Sequence, residues 1–132
     1  MKAGAKRKFP TSFGVFSPTG HVVMAFPSDT DAERARQLLI DNGFRPEDVT
    51  HYSNAEVTAE LAKSEEHAAD PIQIGQEVAK VEEYLELAKQ GSGFVVLHAP
   101  EDEAAKSAVA IVRPCGLKFA EKYNRLTIEE LA

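Results

Sequence analysis

The side chains best suited to chemistry are four histidines: His21, His51, His67 and His98. Imidazole changes charge near neutral pH and binds metals or polar ligands. His98 is the most unusual, because it closes the apolar run Phe94–Val95–Val96–Leu97. One reading is a ligand-binding or pH-sensitive imidazole on a sheet face. The other is a histidine hydrogen-bonded to a backbone carbonyl or a partner chain. No HxxxH or HxH spacing occurs, so no metal site is expected. Tyr52 and Tyr123 lie late in two related segments, beside Ser53 and Asn124. They could line one pocket as a pseudo-symmetric pair, or sit half-buried at sheet edges with wet hydroxyls. The candidate ligand-binding set is therefore His98, His51, Tyr52 and Tyr123. No catalytic residue, metal or cofactor is assigned.

Carboxylates cluster at Asp29/Asp31 and at Glu101/Asp102/Glu103. Paired acids of this kind could bind a cation or act as acid and base. Helix capping accounts for them without a site, and it disfavours anion binding at the same helix starts. Cys115 precedes a glycine at a helix end, where the dipole disfavours a thiolate, and reads as structural. There is no nucleophile elbow, dinucleotide fingerprint or P-loop.

With 132 residues the chain reads as one domain, residues 1–132. A net charge of −6 argues against sequence-independent nucleic-acid binding. The lone cysteine excludes an internal disulfide framework and points to a reducing compartment. The basic start Lys2, Lys6, Arg7, Lys8 runs into Phe9–Pro10–Thr11–Ser12–Phe13–Gly14, too polar and broken for a signal core. No apolar run approaches the ~18–20 residues that span a bilayer. The expectation is a cytoplasmic protein without membrane partners.

Chemistry needs a scaffold, and here the scaffold is a repeat. Shifted by 73 positions, Val22–Phe44 falls on Val95–Leu117 without a gap. Pro27 meets Pro100, Asp29 meets Asp102, Ala32 meets Ala105, Ala35 meets Ala108 and Gly43 meets Gly116. Each copy reads as strand, helix, strand. His21–Phe26 and Phe94–His98 are apolar on both faces, the mark of central strands. Pro27 and Pro100 end them, and alanine-rich helices follow, closing at Asn42–Gly43 and at Pro114–Gly116. Val49–Ser53 and Lys118–Tyr123 are the second strands. Between the copies, residues 54–91 form a helical insertion. A capping box at Ser53–Glu56 starts one helix, Asp70–Pro71 starts another, and Ile74, Val78, Val81, Leu85 and Ala88 form an apolar stripe. Gly91–Ser92–Gly93 reads as the hinge into the second copy. Residues 1–20 form an arm carrying Phe9, Phe13 and Phe16, with a turn at Ser17–Gly20. Residues 21–53 are the first unit and residues 92–132 the second unit with a short C-terminal segment.

These elements predict an α+β fold, a ferredoxin-like split βαβ sheet with a two-helix insertion between the repeats. The strands starting at His21 and Phe94 are expected side by side and parallel in the centre, flanked by those at His51 and Tyr123. That register would set Ala25 beside His98 and leave His21 at the far end. The repeat helices cover one face. The inserted helices or a second subunit must cover the other.

The segments VVMAFPSDTDAERARQLLIDNGF and GFVVLHAPEDEAAKSAVAIVRPCGLKFAEKYNRLTIEEL resemble the bacterial general-stress and heat-induced-stress type of small α/β protein. The resemblance runs from Val22 to Leu131 apart from the inserted helices. It implies a fold and a stress-related role but carries no catalytic residues. His98 and the aromatic arm Phe9–Phe16 depart from the pattern. The leading expectation is a non-enzymatic stress-related or regulatory protein that self-associates as a homodimer or higher oligomer. The alternative is a small-molecule-binding protein or enzyme using the sheet face around His98.

Overall fold

The computed structural model describes residues 19–67, 76–123 and 128–132, with side chains described outside 61–81. These residues form five strands and four α-helices: β1 (His21–Phe26), α1 (Asp29–Asp41), β2 (Val49–Tyr52), α2 (Asn54–His67), α3 (Gln76–Lys89), β3 (Gly93–His98), α4 (Asp102–Val112), β4 (Phe119–Tyr123) and β5 (Ile128–Glu130). The architecture is α+β. The sheet runs β2-β3-β1-β4-β5, and every neighbouring pair is antiparallel. The Phe9–Phe16 arm and the Asp70–Pro71 helix start lie outside the described residues.

β1 and β3 are the adjacent central strands, flanked by β2 and β4, but they run antiparallel rather than parallel. The expectation failed because a crossover makes parallel only the two strands it joins. β1 and β2 are parallel to each other, and so are β3 and β4. Each pair leaves a gap that a strand of the other repeat fills from the opposite direction. The ladder pairs Val23 with Val96, the same two residues that the 73-position shift superposes. A pseudo-twofold axis therefore passes between them, and it exchanges the Val22–Leu97 pair with the Met24–Val95 pair.

Strand alternation splits the core into two layers. Val22, Met24, Phe26, Val95 and Leu97 face the alanine-rich sides of α1 (Ala32, Ala35, Leu39) and α4 (Ala105, Ala108, Val109, Val112). Small alanines let both helices lie close to the sheet. Val23, Ala25, Phe94 and Val96 face the other way, onto Val57 of α2 and Tyr84, Leu85 and Ala88 of α3. Of the two covers foreseen for this second face, the inserted helices supply it.

The helix ends follow local chemistry. The Ser28 hydroxyl accepts from the Asp31 amide and caps α1. Ser53 and Glu56 form the reciprocal capping box at α2, with amide-to-side-chain bonds of 2.8 and 3.1 Å. Asp29 does not cap its own helix. It accepts from the backbone and side-chain amides of Asn54 at 2.9 and 3.2 Å, tying the first repeat to the start of the insertion. The short C-terminal segment is a strand, β5, with Ile128 opposite Tyr123.

The supposed hinge at Gly91–Gly93 is a packed junction. Gly91 has φ +101°, and Ser92 is fully buried. A Cβ on Gly93 would stand 2.8 Å from Asp29 Cα and from the Ser28 carbonyl oxygen. Backbone cannot yield there as a flexible side chain would. Gly93→Ala should therefore cost about 3 kcal/mol or more, the upper end for overpacking. Gly43→Ala, at φ +105° in open space, should cost only about 1–2 kcal/mol of left-handed strain. Urea unfolding of both variants checks the order; a smaller loss at Gly93 would contradict the close approach.

Candidate functional site

The antiparallel register rearranges the histidines. It sets His98 opposite His21 and Ala25 opposite Phe94. The expected Ala25–His98 neighbourhood does not exist, and His21 is not remote. The two imidazole rings lie 4.8 Å apart between centroids, tilted by 48°. His98 is about half exposed, and its Nδ1 is 3.8 Å from Oδ1 of Asp48, just ahead of β2. Its Nε2 turns the other way, toward Gly20 on the β1 side: a Cβ on Gly20 would lie 3.8 Å from it.

The pseudo-twofold axis makes this pair informative. The repeat shift places Ala25 on His98 and His21 on Phe94. The Ala25–Phe94 pair at one end of the sheet is thus the counterpart of the His98–His21 pair at the other. The fold accepts a small residue and an aromatic ring at this position, so two imidazoles are not demanded by packing.

Tyr52 and Tyr123 also fall at pseudo-equivalent places. Tyr52 pairs with Phe94 at one corner of the second face. Tyr123 lies one step beyond the Val22–Lys122 pair, beside His21. They are pseudo-symmetric, yet they occupy opposite corners and do not line a common pocket. Tyr123 is buried rather than wet-edged, at 1% exposure.

Next to Tyr123 is a buried polar cluster. The Tyr84 hydroxyl donates to Oε1 of Glu121 at 2.7 Å and lies 2.6 Å from the Tyr123 hydroxyl. Each hydroxyl has one proton, so Tyr123 donates to Tyr84 while Tyr84 donates to the carboxylate. Glu121 is only 2% exposed, and Glu130 of β5 stands opposite it at the exposed rim. Tyr84 also stacks on Phe119 and meets Phe94 edge-on, with centroids at 5.4 and 6.2 Å. Burial pushes the Tyr84 phenol well above its ordinary value of 10.0, and the neighbouring Tyr123 and Glu121 add to the rise. It therefore remains a proton donor.

His51 belongs elsewhere. Alternation along β2 puts it on the α1 side with Val49, away from His98. Its Nδ1 is 3.2 Å from Oε1 of Glu33, and its Nε2 is 3.9 Å from Oδ1 of Asp29. An open depression of about 520 Å³ beside it is lined by Asp29, Thr30, Glu33, Arg34 and Gln37. The expected grouping of His98, His51 and Tyr123 is thus not formed. The second carboxylate cluster has a structural job as well: Asp102 accepts from Lys122 Nζ at 2.6 Å, and Lys122 also bonds the Pro100 carbonyl oxygen. The Lys122 side chain is 4% exposed and Asp102 is 73% exposed, so the partner of a nearly buried cation is in water. The hydrogen bond from Lys122 holds the Asp102 carboxyl below its usual 3.8.

His21, Tyr84 and Glu121 were absent from the sequence-based set. Tyr84 falls within the apolar stripe of α3, between Val81 and Ala88, and could have been found there. Glu121 alternates with Phe119 and Tyr123, which put a carboxylate on an aromatic face. His21 required the antiparallel register. Among the described residues no group of three or more His, Cys, Asp or Glu side chains is placed to hold a metal. No helix among them is long and apolar enough to cross a membrane. Compared with protein-family models, curated proteins and solved structures, the chain matches none.

Tyr84→Phe removes both hydroxyl contacts, one of them to a carboxylate. It should lower unfolding free energy by about 1.5–3 kcal/mol. Equilibrium denaturation reads this directly, and a loss below about 0.5 kcal/mol would show the cluster to be dispensable. The raised phenol also links stability to alkaline pH. Its contribution is whole below the unfolded value near 10 and lost as pH rises beyond it, so wild type should lose stability there faster than Tyr84→Phe. For Asp102 the sign reverses. A lowered carboxyl stabilises above its unfolded value and loses this as pH falls through the folded one. Asp102→Asn should be less stable than wild type at neutral pH, with the gap closing in acid below the usual 3.8. A pH-independent gap would contradict the pairing.

Proposed function

We propose that this chain is a non-enzymatic regulatory binding protein, of stress-related type, whose ligand site is the open end of the second sheet face. The observation that carries the reading is the cross-strand His21–His98 pair, with centroids 4.8 Å apart where its pseudo-equivalent is Ala25–Phe94. A polar pair standing where the duplicated unit tolerates an apolar one calls for a reason outside folding. Tyr123, the next residue in register beside His21, is hydrogen-bonded to Tyr84, and Tyr84 to buried Glu121. Asp48 stands at one side of the pair, and Glu121 and Glu130 lie further along the sheet at the other. Together with the net charge of −6 they favour a small cationic or hydrogen-bond-donating ligand over an anion.

The scaffold that goes with this reading is the ferredoxin-like split βαβ arrangement. The order β2-β3-β1-β4 with α1 and α4 on one face supports it, and β5 and the α2–α3 insertion are additions. Self-association through the second face loses its main argument, since α2 and α3 of the same chain pack there.

A thermal-shift screen of small metabolites and cations, run on wild type and His98→Ala, tests the reading. At least one compound should raise the wild-type Tm by several degrees and leave His98→Ala unmoved. His98 is exposed, so its replacement should leave the unliganded Tm nearly unchanged. Shifts of equal size in both proteins, or none in either, would remove the binding site from this end of the sheet.

A further inference from the structure

We propose that His21 and His98 form a two-nitrogen chelate for a divalent transition-metal ion of the class that prefers imidazole. The inference rests on the reading of this end of the sheet as a binding site and names the ligand class. Three observations lead to it. The register sets the two histidines directly opposite on neighbouring antiparallel strands, with ring centroids 4.8 Å apart. Two imidazoles held at this spacing on rigid strands can converge on one ion without moving backbone. His98 is oriented for the purpose: Asp48 lies on the Nδ1 side at 3.8 Å, while Nε2 turns toward the β1 side. At 3.8 Å Asp48 is too far for a hydrogen bond, yet it stands on the nitrogen away from the metal, the side on which outer-shell carboxylates orient a liganding histidine. Gly20 stands beside Nε2 without crowding it: even a Cβ there would lie at 3.8 Å, ordinary van der Waals contact.

The described site supplies two protein nitrogens and no third ligand, in keeping with the absence of any larger His, Cys, Asp or Glu group among the described residues. Water or an external donor would fill the other coordination positions. Such a site exchanges its ion and suits sensing or transient carriage better than structural zinc, which takes four protein ligands. Imidazole donors select copper(II), nickel and zinc over magnesium and calcium, and affinity should rise to copper(II) and fall again at zinc. Sequence spacing could not reveal the pair, because the ladder alone unites its members.

The test uses the full chain after treatment with a chelator. Copper(II) chloride is added below one equivalent while the histidine imidazole proton resonances are followed by NMR. His21 and His98 should broaden first, with His51 and His67 following only at higher copper. Calorimetric titration with zinc chloride gives the affinity. His98→Ala and His21→Asn should each weaken zinc about 100-fold or more, as expected when a linked second ligand is lost. Asp48→Asn should weaken it about 10-fold or more, and His51→Ala should leave it unchanged. Broadening spread equally over all four histidines, or zinc affinity unchanged in His98→Ala and His21→Asn, would overturn the proposal. A metabolite shift that depends on His98, with no metal bound there, would overturn the metal site and leave the binding reading standing. Neither metal nor metabolite binding would remove both.

Discussion

Everything in this structure depends on β1 lying beside β3. Both strands are buried on both faces: Val22 to Phe26 and Phe94 to Leu97 are at most 3% exposed. Each large apolar side chain contributes about 1.5–3 kcal/mol only while it is kept from water. The sheet must therefore be covered twice. The two repeat helices cannot do this alone, because both pack on the Val22 side. The insertion is what closes the other side, through Val57, Tyr84, Leu85 and Ala88. Its attachment is also chemical, since Asp29 of the first repeat accepts from both amides of Asn54.

The second face then carries a constraint that the first does not. Glu121 is a carboxylate in a layer of Val, Phe and Tyr, and a buried carboxylate is costly unless hydrogen-bonded. The Tyr84 hydroxyl answers this need, and in doing so it fixes how α3 is turned about its axis. An all-apolar seam would tolerate small rotations of the helix. A phenol that must reach one oxygen does not. The polar cluster thus adds orientation to a contact whose strength comes from burial.

Much of the fold was legible in the sequence. Two-sided apolar runs marked β1 and β3, the prolines after them marked the helix starts, and Ser53–Glu56 capped α2 as its spacing required. Strand direction was misread, because the repeat reveals which segments are equivalent but not how the copies are oriented. A single wrong sign moved His98 from its true neighbour, His21, to Ala25. Tyr52 and Tyr123 are counterparts in the two units, but equivalence is not proximity. A twofold axis sends equivalent residues to opposite corners. His51 lies apart from His98 for a simpler reason: one residue of strand alternation separates it from Tyr52 and puts it on the other face. Glu121 and Tyr84 were readable from periodicity, but their meeting required the docking of α3.

The duplicated unit contains its own control experiment. At the Ala25–Phe94 end the position is filled with the residues that packing wants, and that end is sealed beneath the insertion. At the His98–His21 end the same backbone, turned half a revolution, has been released from that duty. One end of the sheet keeps the molecule folded, and the other is free to change. A chain built this way can acquire, retune or lose a surface chemistry at one end of its sheet without renegotiating its core.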